Sequence, residues 1–173
     1  MSRFCFVLDE SSTLVITVDR INQLSTGGFF APNNVFFNLN DASNVTGYVR
    51  SVTVQYDQAR LPTSSARVWI YGIVPIPGGF KACSQYMVPS SQISTVQALQ
   101  TYTIPASAIN VFNGAHVAVG IQDTSASIGT VYSGVGMCLG GANLTSAILQ
   151  NQAMYFRPDD SLFGVKLSYT VVA

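Results

Sequence analysis

"YVRSVTVQY", residues 48–56, alternates so regularly that it reads as a strand before anything else is known about the chain. Tyr48, Arg50, Val52, Val54 and Tyr56 fall on one parity, and Val49, Ser51, Thr53 and Gln55 on the other. Successive side chains of a strand point to opposite faces, so this period of two predicts one face on a core and the other mostly polar. The residue types agree, since Val, Tyr and Thr suit a pleated, half-buried surface.

Similar stretches recur at 4–8, 14–18, 35–39, 66–74, 82–88, 100–104, 115–121, 130–139, 153–156 and 162–172. Between them stand the turn signals "STGG", "APNN", "NDASN", "LPTSS", "PIPGG", "VPSS", "FNG", "SASIG", "GGAN" and "RPDD". Roughly ten strands at this spacing predict an all-β chain, an antiparallel β-sandwich or barrel, with no room for the crossover helices of a parallel sheet. One or two short loop helices are expected, the candidates being "SSQISTVQALQ" from Ser90 and "NLTSAILQNQA" from Asn143. In the last stretch, "SLFGVKLSYTVVA" at 161–173, Phe163, Val165, Leu167, Tyr169 and Val171 share the parity that should face the core. No repeat or linker interrupts the chain, and its 173 residues fit a single domain, 1–173.

The surface must be unusual. Hydrophobic residues make up 48% of the chain but charged ones only 9%, against about 25% in ordinary globular proteins. Ser, Thr, Asn and Gln number 19, 13, 10 and 10, so the exterior is predicted to be neutral and hydrogen-bonding. A net charge near zero gives little mutual repulsion and favours association. Lysine occurs only at Lys81 and Lys166, which argues against direct nucleic-acid binding and against an anionic membrane surface. The uncharged segments 82–122 and 124–156 are broken every few residues by polar residues, Gly or Pro, so no membrane span is expected. "MSRFCFVLDESS" is too short in its apolar part for a secretory signal. Cys5, Cys83 and Cys138 lack paired spacing and read as reduced, mostly buried thiols of a protein folded in the cytoplasm.

Chemistry is hard to find. His116, the single histidine, lies in "GAHVAVG" without a nucleophile elbow elsewhere, and reads as structural. Of the eight acidic residues most sit beside turns, where Asp bonds its own backbone, and no carboxylate pair is marked out for catalysis. "RPDDS", with Asp159 and Asp160, lacks the alternating oxygen ligands of a calcium loop and reads as a solvated turn. "GTVYSGVGMCLGG" at 129–141 matches no phosphate-binding loop. The sequons at Asn44 and Asn143 are as frequent as chance supplies. No enzyme, metal or cofactor is expected.

The aromatic residues say more. Trp69 and Tyr71 share one face of "ARVWIYGIVP", and Val68 and Ile70 the other. The expectation is that both faces are covered, one by the core and one by a loop or a neighbouring subunit. The alternative is that Trp69, with Tyr86 and Tyr132, offers stacking platforms to a glycan. "GGFFAPNNVFFNLN" places Phe29, Phe30, Phe36 and Phe37 within nine residues. Adjacent rings cannot all point to one side of a strand, so some are expected outside the main core, as an oligomer interface.

In length, strand-rich uncharged sequence, hydroxyl- and amide-rich surface and absence of a secretory signal, the chain resembles the viral single jelly-roll structural proteins. "SLFGVKLSY" is also similar to the closing strand of the trimeric jelly rolls of the tumour-necrosis-factor and C1q type. The first resemblance implies a jelly-roll sandwich that forms trimers or pentamers and joins other particle proteins in a virion, as a capsid, penton or decoration subunit. The function in the runner-up is a carbohydrate- or receptor-binding module of the same fold.

Overall fold

The computed structural model describes residues 5–8, 14–30, 33–122, 126–140, 153–158 and 163–173, and of 5–8, 25–26, 29–30 and 157–158 the backbone alone. The chain is all-β. Its strands are β1 (Cys5–Leu8), β2 (Leu14–Val18), β3 (Ser25–Phe30), β4 (Asn34–Asn38), β5 (Gly47–Gln55), β6 (Arg67–Ile76), β7 (Gly79–Met87), β8 (Leu99–Thr103), β9 (Asn110–Val111), β10 (His116–Gln122), β11 (Ser127–Val131), β12 (Gly136–Leu139), β13 (Ala153–Met154), β14 (Arg157–Pro158), β15 (Gly164–Val165) and β16 (Leu167–Val172).

Two antiparallel sheets face each other. The first runs β1-β2-β16-β5-β8, with β9 continuing the β8 edge of β5. The second runs β13-β7-β6-β10-β4-β12-β14. A small third sheet, β15-β11-β3, meets the end of β5 through the Tyr56–Ile128 bridge. The main core lies between the two large sheets. Val18, Val52, Val54, Tyr102, Leu167, Tyr169 and Val171 come from one side, and Phe36, Val68, Ile70, Val117, Val119 and Ile121 from the other. The parity expected of the last stretch therefore holds at Val165, Leu167, Tyr169 and Val171, all buried in this core.

The alternation of residues 48–56 does not hold throughout. Ser51 pairs with Thr170, but the next partner, Val171, pairs with Val49. Arg50 is thus the extra residue of a β-bulge, which switches the faces of the strand. Val49 becomes core while Arg50 stays exposed, although strict alternation had set Arg50 on the core parity.

The centre of the second sheet, β4, β6 and β10, is buried on both faces. Behind it lies another apolar layer of Val35, Phe37, Tyr71, Ile73, Ala82, Ala118, Met137, Met154 and Phe156. Phe36 and Phe37 point to opposite cores, one ring in each.

Several expected elements shift. "STGG", expected as a turn, opens β3, because Gly28 lies close against Asp57 and Ser127, where an added Cβ would sit 2.8 Å from both side chains. The 130–139 stretch divides into β11 and β12, and the 162–172 stretch into β15 and β16, which join different sheets. The helix expected from Ser90 is a single 3-10 turn, Ser90–Gln92. The one expected from Asn143 lies outside the described residues.

The two layers differ in their polar groups. In the main core, the Tyr56 and Tyr102 hydroxyls hydrogen-bond at 2.9 Å, and Tyr102 also donates to Gln100 Oε1 at 3.1 Å. In the outer layer the Tyr71 hydroxyl is buried without a hydrogen-bond partner among the described residues. Removing a paired group strands its partners, at about 1–3 kcal/mol, whereas removing an unpaired one does not. Tyr102→Phe is therefore expected to lower the urea midpoint clearly, and Tyr71→Phe to leave it unchanged or raise it. Equal losses in the two variants would contradict this difference.

Candidate functional site

The residues singled out in the sequence are not brought together. Phe36 and Phe37 are 2% and 0% exposed, which removes both from the expected oligomer patch. The side chains of Phe29 and Phe30 lie outside the described residues. Trp69 is half-buried on the outer layer, its ring stacked 6.4 Å from Tyr71. Tyr86, on the next strand, packs instead against the main core. Of the three proposed platforms only Tyr132 displays its ring, at 70% exposure.

Tyr132 stands on a built surface. Gln23, Leu24, Tyr132 and Ser133 line a shallow depression of about 370 Å³. Leu24, 84% exposed, had attracted no notice in the sequence, because a single Leu beside a turn has no periodic partner. Beneath it the loop after β2 is fixed by Asp19, whose carboxylate accepts from the Ile21 N–H at 2.8 Å and from Asn22 Nδ2 at 2.9 Å. Arg20 turns inward and forms a two-point ion pair with Asp41, both residues being buried. Its Nη1 donates to Ser133 O at 3.1 Å and to Ser133 Oγ at 3.0 Å, and Ser133 Oγ donates to Gln23 Oε1. Gly134, at φ +91, leaves room for this guanidinium, which lies 2.9 Å from where a Cβ would be. Tyr169 donates its hydroxyl to Asp41 O, and Tyr132 meets the Phe163 ring edge-on at 5.5 Å. Burial raises the Tyr169 hydroxyl well above its ordinary value, and the Asp41 charge adds to that, so it stays a neutral donor.

His116 is enclosed rather than poised. Its Nε2–H donates to Leu39 O at 3.0 Å, which leaves Nδ1 as a buried acceptor with no partner among the described residues. The rings of Phe37 and Phe80 lie 5.0 and 5.8 Å from its centroid. Burial pushes its pKa down, and the Leu39 bond and the Asp41 charge oppose this without reversing it. No nucleophile among the described residues is hydrogen-bonded to the ring. Among the described residues no three His, Cys, Asp or Glu side chains converge as metal ligands. Asp159 and Asp160 lie outside those residues. Cys83 is exposed, against the expectation of burial, because it sits beside the irregular pairing of β6 with β7, where its thiol donates to Gly72 O at 3.1 Å. Cys138 is half-buried. No helix among the described residues is long and apolar enough to cross a membrane.

No family model matches the chain, and neither a curated protein nor a solved structure does.

The buried ring gives a pH dependence with a definite sign. As pH falls through the ordinary histidine range the unfolded chain takes up a proton that folded His116 resists, so this contribution is full above about pH 6.5 and is lost with acid. The urea midpoint should fall between pH 7.5 and 5, and the His116→Gln variant should show a flatter profile. The His116 ring resonances should titrate below 6.5. A titration at or above that value would refute the account.

Proposed function

We propose that the chain is a non-enzymatic structural subunit of a virus or phage particle, a capsid, penton or decoration protein with the jelly-roll form of the sandwich. The strand order is the observation that carries this reading. Eight strands in chain order are β2, β4, β5, β6, β7, β8, β10 and β16. The first, eighth, third and sixth are neighbours in one sheet, and the second, seventh, fourth and fifth in the other. That interleaving supports two Greek keys rolled together, the arrangement found in viral capsid and lectin domains.

One fold serves many functions, so the surface must supply the rest. Leu24, Val96, Tyr132 and Tyr155 are each at least 69% exposed, and the formal net charge is zero. Contact between copies covers such groups without ion pairs, and closed symmetry repeats the contact. The partners in this reading are further copies, as a trimer or pentamer, and other proteins of the virion. Folding takes place in the host cytoplasm, and no nucleic acid is bound directly. Light scattering across a range of concentration and salt should give a discrete oligomer whose mass is insensitive to salt. A monomer under all conditions would overturn self-assembly through apolar surfaces.

A second reading, a carbohydrate- or receptor-binding module, is favoured by one observation: the exposed Tyr132 ring is held on loops locked from below by Arg20. It expects binding on a glycan array that disappears in Tyr132→Ala with the fold intact. Binding unchanged by that substitution, or none in the parent protein, would remove this reading.

A further inference from the structure

The outer face of the first sheet carries a rank of hydroxyls. Thr17 pairs in register with Thr170, Thr170 with Ser51, and Ser51 with Thr103. The Thr17 and Thr170 hydroxyls lie 3.2 Å apart, and on the neighbouring rank those of Thr53 and Thr101 lie 2.9 Å apart. Beside this neutral field two irregularities meet. One is the bulge that turns Arg50 outward. The other is in the strand alongside: Ile104 N bonds Arg50 O at 2.9 Å and Val49 N bonds Ile109 O at 2.9 Å, so residues 105–108 are looped out between them. Within that loop Ala108 N bonds Pro105 O at 3.1 Å, and Ser107 takes a positive φ of 64°.

Together they enclose a depression of about 330 Å³, lined by Val15, Tyr48, Arg50, Thr103, Ile104, Ala106 and Val172. Its aliphatic lining comes from Val15, Ile104, Ala106 and Val172. Tyr48 supplies a ring, Thr103 a hydroxyl and Arg50 a guanidinium. The Thr103 amide is already engaged by Gln92 Oε1 at 3.0 Å, which leaves the side chain facing the field. No side-chain hydrogen bond or ion pair occupies Arg50 among the described residues.

We propose that this depression binds an acidic saccharide, one carboxylated sugar unit at a time. The charge sets the ligand's sign: a guanidinium with no acidic partner fits a carboxylate in a two-point hydrogen bond. The remaining lining sets its body. A sugar ring offers an apolar C–H face to Tyr48 and the aliphatic side chains, and hydroxyls to Thr103 and the rank beyond it. The volume lies at the small end of ligand sites, about 300–1,000 Å³, which suits one unit rather than a chain. This site is separate from the Tyr132 surface and independent of the particle reading, which is tested by mass rather than by ligand.

The test is a titration of the isotope-labelled protein, followed by amide chemical shifts, with galacturonic acid and N-acetylneuraminic acid, and with galactose, acetate and inorganic phosphate as comparisons. The expected result is saturable binding of at least one acidic sugar, with shifts at Tyr48, Thr103, Ala106 and Val172, and with galactose and acetate each about tenfold weaker or more. Arg50→Gln should lose a similar factor while keeping the spectrum of a folded protein, and Arg50→Lys should lie between. Phosphate binding as tightly as the sugars would reduce the site to a simple anion contact and overturn the proposal. So would no binding of either acidic sugar, or shifts elsewhere on the surface. Should Arg50→Gln fail to fold, Thr103→Val and Ala106→Trp, which fills the depression, test the same place.

Discussion

β10 is the strand on which the rest of the molecule depends, because His116 to Ile121 are buried without interruption. A strand buried on both faces needs an apolar layer on each side. Its neighbours take on that requirement. β6 sends Val68 and Ile70 into the main core and Tyr71 and Ile73 outward, and β4 divides Phe36 from Phe37 in the same way. The paired phenylalanines are therefore a consequence of a sheet lying between two apolar layers. Among the described residues the first sheet has only one such layer, and its other face carries the rank of hydroxyls from Thr17 to Thr103. A chain that fills two layers from 173 residues has little place for charge, which fits its 9% charged content.

The polar interior follows the same division. Where the sheets face each other, the buried tyrosines and Gln100 bond one another, and Asn38 holds Val165 through both its amide atoms, at 2.9 and 2.8 Å. On the outer layer Trp69 Nε1, Tyr71 OH, Gln85 Oε1 and His116 Nδ1 are buried without hydrogen bonds among the described residues. Each such group weakens a layer by about 1–3 kcal/mol. The outer layer is accordingly the less stable of the two, the part from which local opening should start. Arg20 and Asp41 act differently. A buried pair adds little net stability when intact, yet losing one partner leaves about 3–5 kcal/mol of uncompensated charge. Its effect is to admit one arrangement of the loops after β2, β4 and β11.

Much of this was legible in the strand residues. Val, Thr and Tyr at period two mark β2, β8 and β16 closely, and β5 as far as its bulge, since packing on one face leaves an alternation. What escaped the pattern has physical causes. β3 was hidden by two glycines, Gly27 at a positive φ of 135° and Gly28 at a close approach, and the breaks at residues 132–135 and at Lys166 come from strands changing sheets, which no local period records. Sites were less legible than strands. Leu24 and Tyr132 meet only through loops far apart in sequence, and nothing in the sequence singles out Arg20. Arg50 did leave a trace: a charge on the core parity of an apolar strand is a contradiction, and a bulge resolves it.

That resolution bears on how a neutral protein can recognise anything charged. In a crowded charged surface one arginine is offset by its neighbours, whereas on the outer face of the first sheet the described groups around Arg50 are a tyrosine ring, hydroxyls and aliphatic carbons. With few competing charges nearby, its field is shaped by the depression alone, and the attraction still remains modest because water reaches it. A single contact of this kind is weak. Symmetric repetition changes the arithmetic, since a second site held at a fixed distance sees a high effective concentration of a polyvalent glycan. In the particle reading proposed above, low charge would let copies approach one another without repulsion, and repetition of the contact would let a weak cation act in number, while the saccharide site itself stands or falls without that reading.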